Sequence, residues 1–188
     1  LQGAAVRRLM AGKQGELWIG STDGLFLLEQ NEFSISRLTD TNNKPVLGSV
    51  NAMAETPDGG MWVGTNTGLY YRVANSRQLT QVEFEKGHAL GHISVVGLLF
   101  DSKQNLWVDT PHGLHRLLRW NGKQAAFESV SARYKIAGGP YGANLLEDAG
   151  GRIWTHKFVY DPKENSVYEL NRADGIFFGT GWFRSYAK

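Results

Sequence analysis

The sequence predicts an all-β chain, a β-propeller with four four-stranded antiparallel blades and the first strand of a fifth. Three observations predict it. Four of the six tryptophans, Trp18, Trp62, Trp107 and Trp154, recur at spacings of 44, 45 and 47 residues, each after an apolar residue. Around three of them the chain aligns without a gap, as Leu17-Trp-Ile-Gly-Ser-Thr-Asp-Gly-Leu25, Met61-Trp-Val-Gly-Thr-Asn-Thr-Gly-Leu69 and Leu106-Trp-Val-Asp-Thr-Pro-His-Gly-Leu114. Short apolar runs alternate with turn-forming clusters throughout, and a period of about 45 residues with four short strands is the sequence form of a propeller blade.

The strands follow in order within each copy. Val6, Val50 and Val95 stand twelve residues before their tryptophans, and Leu9, Met53, Leu98 and Leu145 stand nine before, which marks the first strand. Val6, Leu9 and Met10 also fit a helical spacing, but the repeat overrides it. The run from Val95 to Phe100 is apolar throughout, as expected of an innermost strand covered on both faces. Clusters at 56–59, 101–105 and 147–151 suit tight hairpins into the tryptophan strand, with Asp101 and Asp148 as residues that cap their own turns. Glycines 24, 68 and 113 supply the positive φ of the next turn and lead into the third strand. Asn121-Gly122 is the strongest hairpin signal, passing to a fourth strand around Phe127–Val130. The blades fall at about 1–39, 45–85, 92–131 and 140–171, with the start of the next at 175–188, in one domain.

Composition limits function. The 188 residues carry 20 Lys+Arg against 18 Asp+Glu, a formal charge of +2, too balanced for an electrostatic nucleic-acid or membrane-surface binder. An apolar content of 41% supports a packed core, and no run approaches the roughly 18 to 20 apolar residues that span a bilayer. There is no cysteine, so disulfides and thiolate metal sites are excluded. The sequence begins at Leu1 without a signal-peptide pattern and reads as a processed protein or an excised piece.

The pattern of Leu17-Trp-Ile-Gly-Ser21 with Gly24-Leu25, and Met61-Trp-Val-Gly-Thr65 with Gly68-Leu69, resembles the two-component regulator propeller repeat. The resemblance implies a seven-bladed propeller in the periplasmic sensor region of a membrane-bound signalling protein. A histidine kinase or diguanylate cyclase would lie beyond a membrane helix, outside this chain. It further implies an oligosaccharide or other small ligand. Four blades alone would expose two hydrophobic faces, so further blades of the same protein or a second copy are expected as partner, with a homodimer expected in the full-length protein. Two copies depart from the repeat: Asp109 stands where Gly20 and Gly64 stand, and the fourth reads Trp154-Thr-His-Lys-Phe-Val-Tyr160 without the Gly-Leu pair.

By analogy with other propellers, ligands meet the face formed by the turns between strands two and three and by the connections between blades. That face would carry Asp23, Asn66, Pro111 and His112, the segment 86–92 with His88 and His92, the segment 139–141 with Tyr141, and the segment 179–184 with Trp182 and Arg184. Tyr141, Trp182 and Arg184 offer a sugar flat aromatic faces and planar donors. Trp182 equally suits the inner strand of the next blade, filling space between sheets. His88 and His92, four apart in a glycine-flanked loop, lack the helical frame that would aim both at one metal, so neither metal nor cofactor is expected. His115 and His156 read as surface or edge histidines, and Trp120 as a side chain covering its neighbour or serving a partner. No catalytic motif is present: there is no Gly-x-Ser-x-Gly, phosphate-binding glycine loop or His-Glu-x-x-His, and a non-enzymatic sensor is expected, with a polysaccharide lyase or hydrolase, or a protein-binding scaffold, as alternatives.

Overall fold

The computed structural model describes residues 3–30, 34–46, 48–85, 90, 93–136 and 145–175. They form four sheets, one around each repeat tryptophan. The first blade is β1 (Val6–Ala11), β2 (Leu17–Ser21), β3 (Gly24–Leu28) and β4 (Ile35–Arg37), paired in that order and antiparallel. The second comprises β5 (Thr39–Asp40), β6 (Val50–Glu55), β7 (Met61–Thr65), β8 (Gly68–Arg72) and β9 (Gln78–Gln81), and the third β10 (Glu83–Phe84), β11 (Gly97–Phe100), β12 (Leu106–Thr110), β13 (Gly113–Trp120) and β14 (Gln124–Ser129). The fourth is β15 (Leu146–Glu147), β16 (Ile153–Trp154), β17 (Phe158–Asp161) and β18 (Ser166–Glu169). The segment expected to open a fifth blade lies outside the described residues after Gly175.

Two features differ from the expectation of plain four-stranded blades. The second and third sheets have five strands, because β5 pairs parallel with β9 and β10 pairs parallel with β14. The chain leaving one blade therefore runs along the outer edge of the next before turning inward. Leu38 and Val82, just before these strands, are buried and donate their N–H to Leu25 and Leu69 of the blade they leave, so each stitches a seam. The fourth strand of the third blade also ends at Ser129, one residue short of Val130. Ser129 caps α1 (Val130–Arg133) by accepting the Ala132 N–H, and Val130 becomes a fully buried filler of the next seam.

Each blade presents its tryptophan face to the next blade. Trp18, Leu25 and Leu27 pack on Val50, Met61, Val63 and Leu79, and Trp62 and Leu69 pack on Val95, Leu106, Val108 and Phe127. Trp107 and Leu114 meet Ile153, Phe158 and Tyr160 with Val130 between them. Burial at about 25 cal/mol per Å² makes these three seams the main source of cohesion. The inner strands β1, β6 and β11 are neighbours, and at the inner edge Val95 N–H donates to the Thr65 carbonyl of the preceding blade at 2.8 Å. β1 is a strand despite its helical spacing, because its amides pair with β2.

The turn chemistry follows the sequence. Gly24, Gly68 and Gly113 have φ of +120°, +141° and +105°. Asp101 accepts the Lys103 and Asn105 N–H groups at 2.9 and 2.8 Å, and also the Trp107 indole N–H at 2.9 Å. Asp148 does the same for Gly150, Arg152 and Trp154. Trp120 lies 4.9 Å from Trp62 and 5.3 Å from Tyr71, ring centre to ring centre, so it covers the neighbouring blade.

Candidate functional site on the loop face

The turns between second and third strands place Asp23, Asn66, Pro111 and His112 at one end of the blades. Asp23 is tied down: its carboxylate lies 3.1 Å from Arg37, whose guanidinium also bonds the Asp23 carbonyl and lies over the Phe26 ring at 5.6 Å. Asn66 accepts the Ser49 N–H at 2.8 Å and bonds the Ser49 carbonyl through its own N–H, which anchors the connection into the second blade. Both therefore serve the scaffold. His112 is different. Its ring is exposed, while its N–H is fixed at 3.1 Å on the Thr110 hydroxyl. His88, His92, Tyr141, Trp182 and Arg184, the other expected ligand contacts, lie outside the described residues.

Near His112 in the chain, polar side chains are buried on both faces of the third sheet, His115 on the side of Val108 and Asp109 on the side of Leu114. His115 is 2% exposed, not a surface residue, and its Nε2 lies 3.2 Å from the Thr110 hydroxyl. Burial, with the charge of His112 nearby, lowers its pKa to about 4. Asp109 is 2% exposed, and burial raises its pKa to about 7. His156 is largely covered as well, with a side chain 12% exposed and Nδ1 4.0 Å from Asp109 Oδ2. Burial and then Lys157 lower the His156 pKa to about 4. Reading these histidines as surface or edge residues failed: His115 is buried beside Thr110 of its own sheet, and His156 is covered across the seam from Asp109. The available signal was register: two residues after the tryptophan stand Gly20, Gly64, Asp109 and His156 in turn.

Two concavities lie away from the loop face. A groove of about 640 Å³ runs along the first seam at the opposite end of the strands, between the hairpins carrying Lys13 and Asp58 and the turns carrying Glu29 and Asn75. Its base is Trp18, covered by the Arg72 guanidinium at 4.5 Å from the ring centre. At the second seam Trp120, 45 residues after Asn75, lies on the corresponding tryptophan. A smaller hollow of about 360 Å³ lies on the fourth blade, lined by Trp154, Val159 and Tyr168. Among the described residues no three His, Asp or Glu side chains converge as a metal site, and no helix is long and apolar enough to cross a membrane.

Repeated sheets of four or five strands, packed with the tryptophan face of each on the next, define the blades of a β-propeller. Residues 46–67, which carry β6 and β7 of the second blade, match the family described as Two component regulator propeller, so the resemblance read from the repeat is borne out. No curated protein matches the chain. Among solved structures it is similar to the extracellular domain of a protein described as a hybrid two component system, BT3049 from B. thetaiotaomicron, with 21% identity and a TM-score of 0.71. That match covers 92% of this chain but 24% of the other, so this chain spans about a quarter of its length. It is also similar to PorZ, a bacterial surface component of the type-IX secretion system of Porphyromonas gingivalis, with 16% identity and a TM-score of 0.62 over 80% of this chain and 24% of that one. Virginiamycin B lyase from Staphylococcus aureus, in its catalytically inactive H270A form with quinupristin, is 10% identical with a TM-score of 0.64, covering 90% of this chain and 56% of the enzyme. At these identities the likeness shows the fold.

Proposed function

We propose that the chain is a non-enzymatic ligand-sensing segment of a membrane-bound signalling protein, held on the extracytoplasmic, periplasmic side. The observation that carries this is the match of the second blade to the two-component regulator propeller within a fold shared with the extracellular domain of BT3049. The ligand is a carbohydrate or other small polar molecule on the loop face, where His112 is exposed on its turn and where Tyr141, Trp182 and Arg184 are expected on the connections between blades. Blades are stiff, so binding acts by shifting whole sheets relative to further blades or to a second copy, which biases a two-state assembly.

The test is a glycan panel assayed for binding by calorimetry and for turnover by product analysis. A sensor binds at least one glycan and leaves it intact, and joint replacement of His112, Tyr141, Trp182 and Arg184 by alanine removes binding. Cleavage of a panel member would replace the sensor by a propeller enzyme, the class to which the lyase belongs. Unchanged affinity in the quadruple variant would remove the loop-face site.

A further inference from the structure

The third seam contains two ionisable side chains that face each other, Asp109, whose carboxylate is otherwise bonded only by the Thr110 N–H, and His156. In the first two blades the position two residues after the tryptophan admits no side chain: a Cβ on Gly20 would lie 2.7 Å from Val50 Cγ1, and one on Gly64 would lie 2.5 Å from Val95 Cγ1. That position therefore points at the inner strand of the next blade. In the third blade it is Asp109, and the residue opposite it on the inner strand is Gly97, where the second blade pairs Ala52 with Gly64. The glycine has crossed the ladder, and a Cβ on Gly97 would lie 3.2 Å from Asp109 Cβ. In the fourth blade the same position is His156, whose Nδ1 lies 4.0 Å from Asp109 Oδ2 across the seam. Asp109 Oδ2 and both His156 ring nitrogens are buried and make no hydrogen bond. Buried polar groups are rarely left so without a role.

We propose that Asp109 and His156 form a proton-binding site between the third and fourth blades, which holds one shared proton and loosens the fourth blade when that proton leaves. With one proton the pair is neutral, whether carboxylic acid beside imidazole or carboxylate beside imidazolium. A second proton leaves a net positive charge in the seam, and removal of the first leaves a net negative one, and either is costly in a site closed to water. The pair titrates as a unit. Its outer limits follow from burial, which raises Asp109 to about 7 and, helped by Lys157, lowers His156 to about 4. The other titratable groups nearby include His112 on the exposed turn, His115 of β13 on the opposite face of the sheet beside Thr110, Arg116 of β13 over Trp107 and paired with Glu128, and Lys157 beside β16. Asp109 is paired with Gly97 of β11 and Leu114 of β13, Leu145 at the start of the fourth blade lies against Gly97, and none of the three offers a counter-charge.

The sign is fixed by these directions. The acid is raised, so its contribution to stability is lost as pH rises through about 7, and the imidazole is lowered, so its contribution is lost as pH falls through about 4. Below about 6.5 the two contributions offset each other, because the closed and the open seam then hold the same number of protons, so the net loosening comes as pH rises past about 6.5 and through about 7.

The test is amide hydrogen exchange of peptides spanning 153–161, corrected for intrinsic rate, together with imidazole nitrogen NMR of His156. From about pH 5.5 to about pH 8.5, protection of these peptides is expected to fall about threefold while peptides spanning 61–72 keep theirs. Asp109→Asn, which cannot ionise, is expected to abolish the fall. Should that variant not fold, the wild-type NMR decides, since the His156 ring is expected to report a midpoint near pH 7 that coincides with the loss of protection. A constant protection factor in the wild type, the same fall in Asp109→Asn, or a His156 ring with no change between about pH 6 and about pH 8 would overturn the proposal.

Discussion

Asp101 organises more of the third blade than its size suggests. It is 5% exposed and accepts two turn amides, the Asn105 side-chain amide and the Trp107 indole N–H. Replacing it with alanine strands a buried indole and two backbone donors, so Asp101→Ala is expected to cost about 2–4 kcal/mol in urea unfolding. A loss below about 0.5 kcal/mol would mean that the turn does not depend on the side chain. His115 gives a pH-dependent counterpart. Its lowered folded-state pKa means the unfolded chain takes up protons that the fold refuses, so stability falls as pH drops from about 6.5 towards about 4. His115→Gln is expected to flatten that slope in thermal melts at stepped pH, removing at most about 3 kcal/mol of pH dependence. The capping role of Asp101 was legible in sequence, because an aspartate opening a hairpin bonds to local amides. The burial of His156 was not, because it faces Asp109 of another sheet.

Among elements, the long strand β13 ends in Trp120, which closes the second seam by resting on Trp62 and Tyr71. Trp120→Ala is expected to lose about 2–4 kcal/mol, measured as a lower urea midpoint with little change in far-UV dichroism. Unchanged stability would mean that the triad is only a surface decoration. Gly64 faces the opposite constraint, since its missing Cβ would lie 2.5 Å from Val95 Cγ1, and Gly64→Ala is expected to destabilise by about 1–3 kcal/mol. The main strands were readable because the repeat fixes their register. β5, β10 and α1 were not: two-residue edge strands and a single helical turn are too short to show a period, and they exist only because a neighbouring blade offers an edge or a gap.

Across the whole molecule, the first and fourth blades each leave one face without a described neighbour. Val6, Leu9 and Ile35 are 49%, 63% and 44% exposed, whereas Val50 and Leu79, at the positions of Val6 and Ile35 in the second blade, are each 1% exposed. Such a face binds another sheet or associates. The 188-residue chain is expected to bind an exposed-hydrophobe dye and to self-associate in light scattering, and threonine at Val6, Leu9 and Ile35 to reduce both. A stable monomer that ignores the dye would show that the face is already closed. The site was less legible than the fold for the same reason: blade registers are local and repeated, whereas the loop face brings together segments that break the repeat.

The account rests on the tryptophan repeats being equivalent sheets packed face to inner face, and the absence of native cysteine makes that directly measurable. A Cβ at Gly64 would lie 3.0 Å from Val95 Cβ, close to the roughly 3.5–4.5 Å of a disulfide. In the double variant Gly64→Cys, Val95→Cys, mild oxidation is predicted to consume both thiols within one chain, as read by thiol titration and peptide mapping. Thiols that stay free, or that link only between chains, would contradict the packing of the second blade on the third and with it the propeller itself.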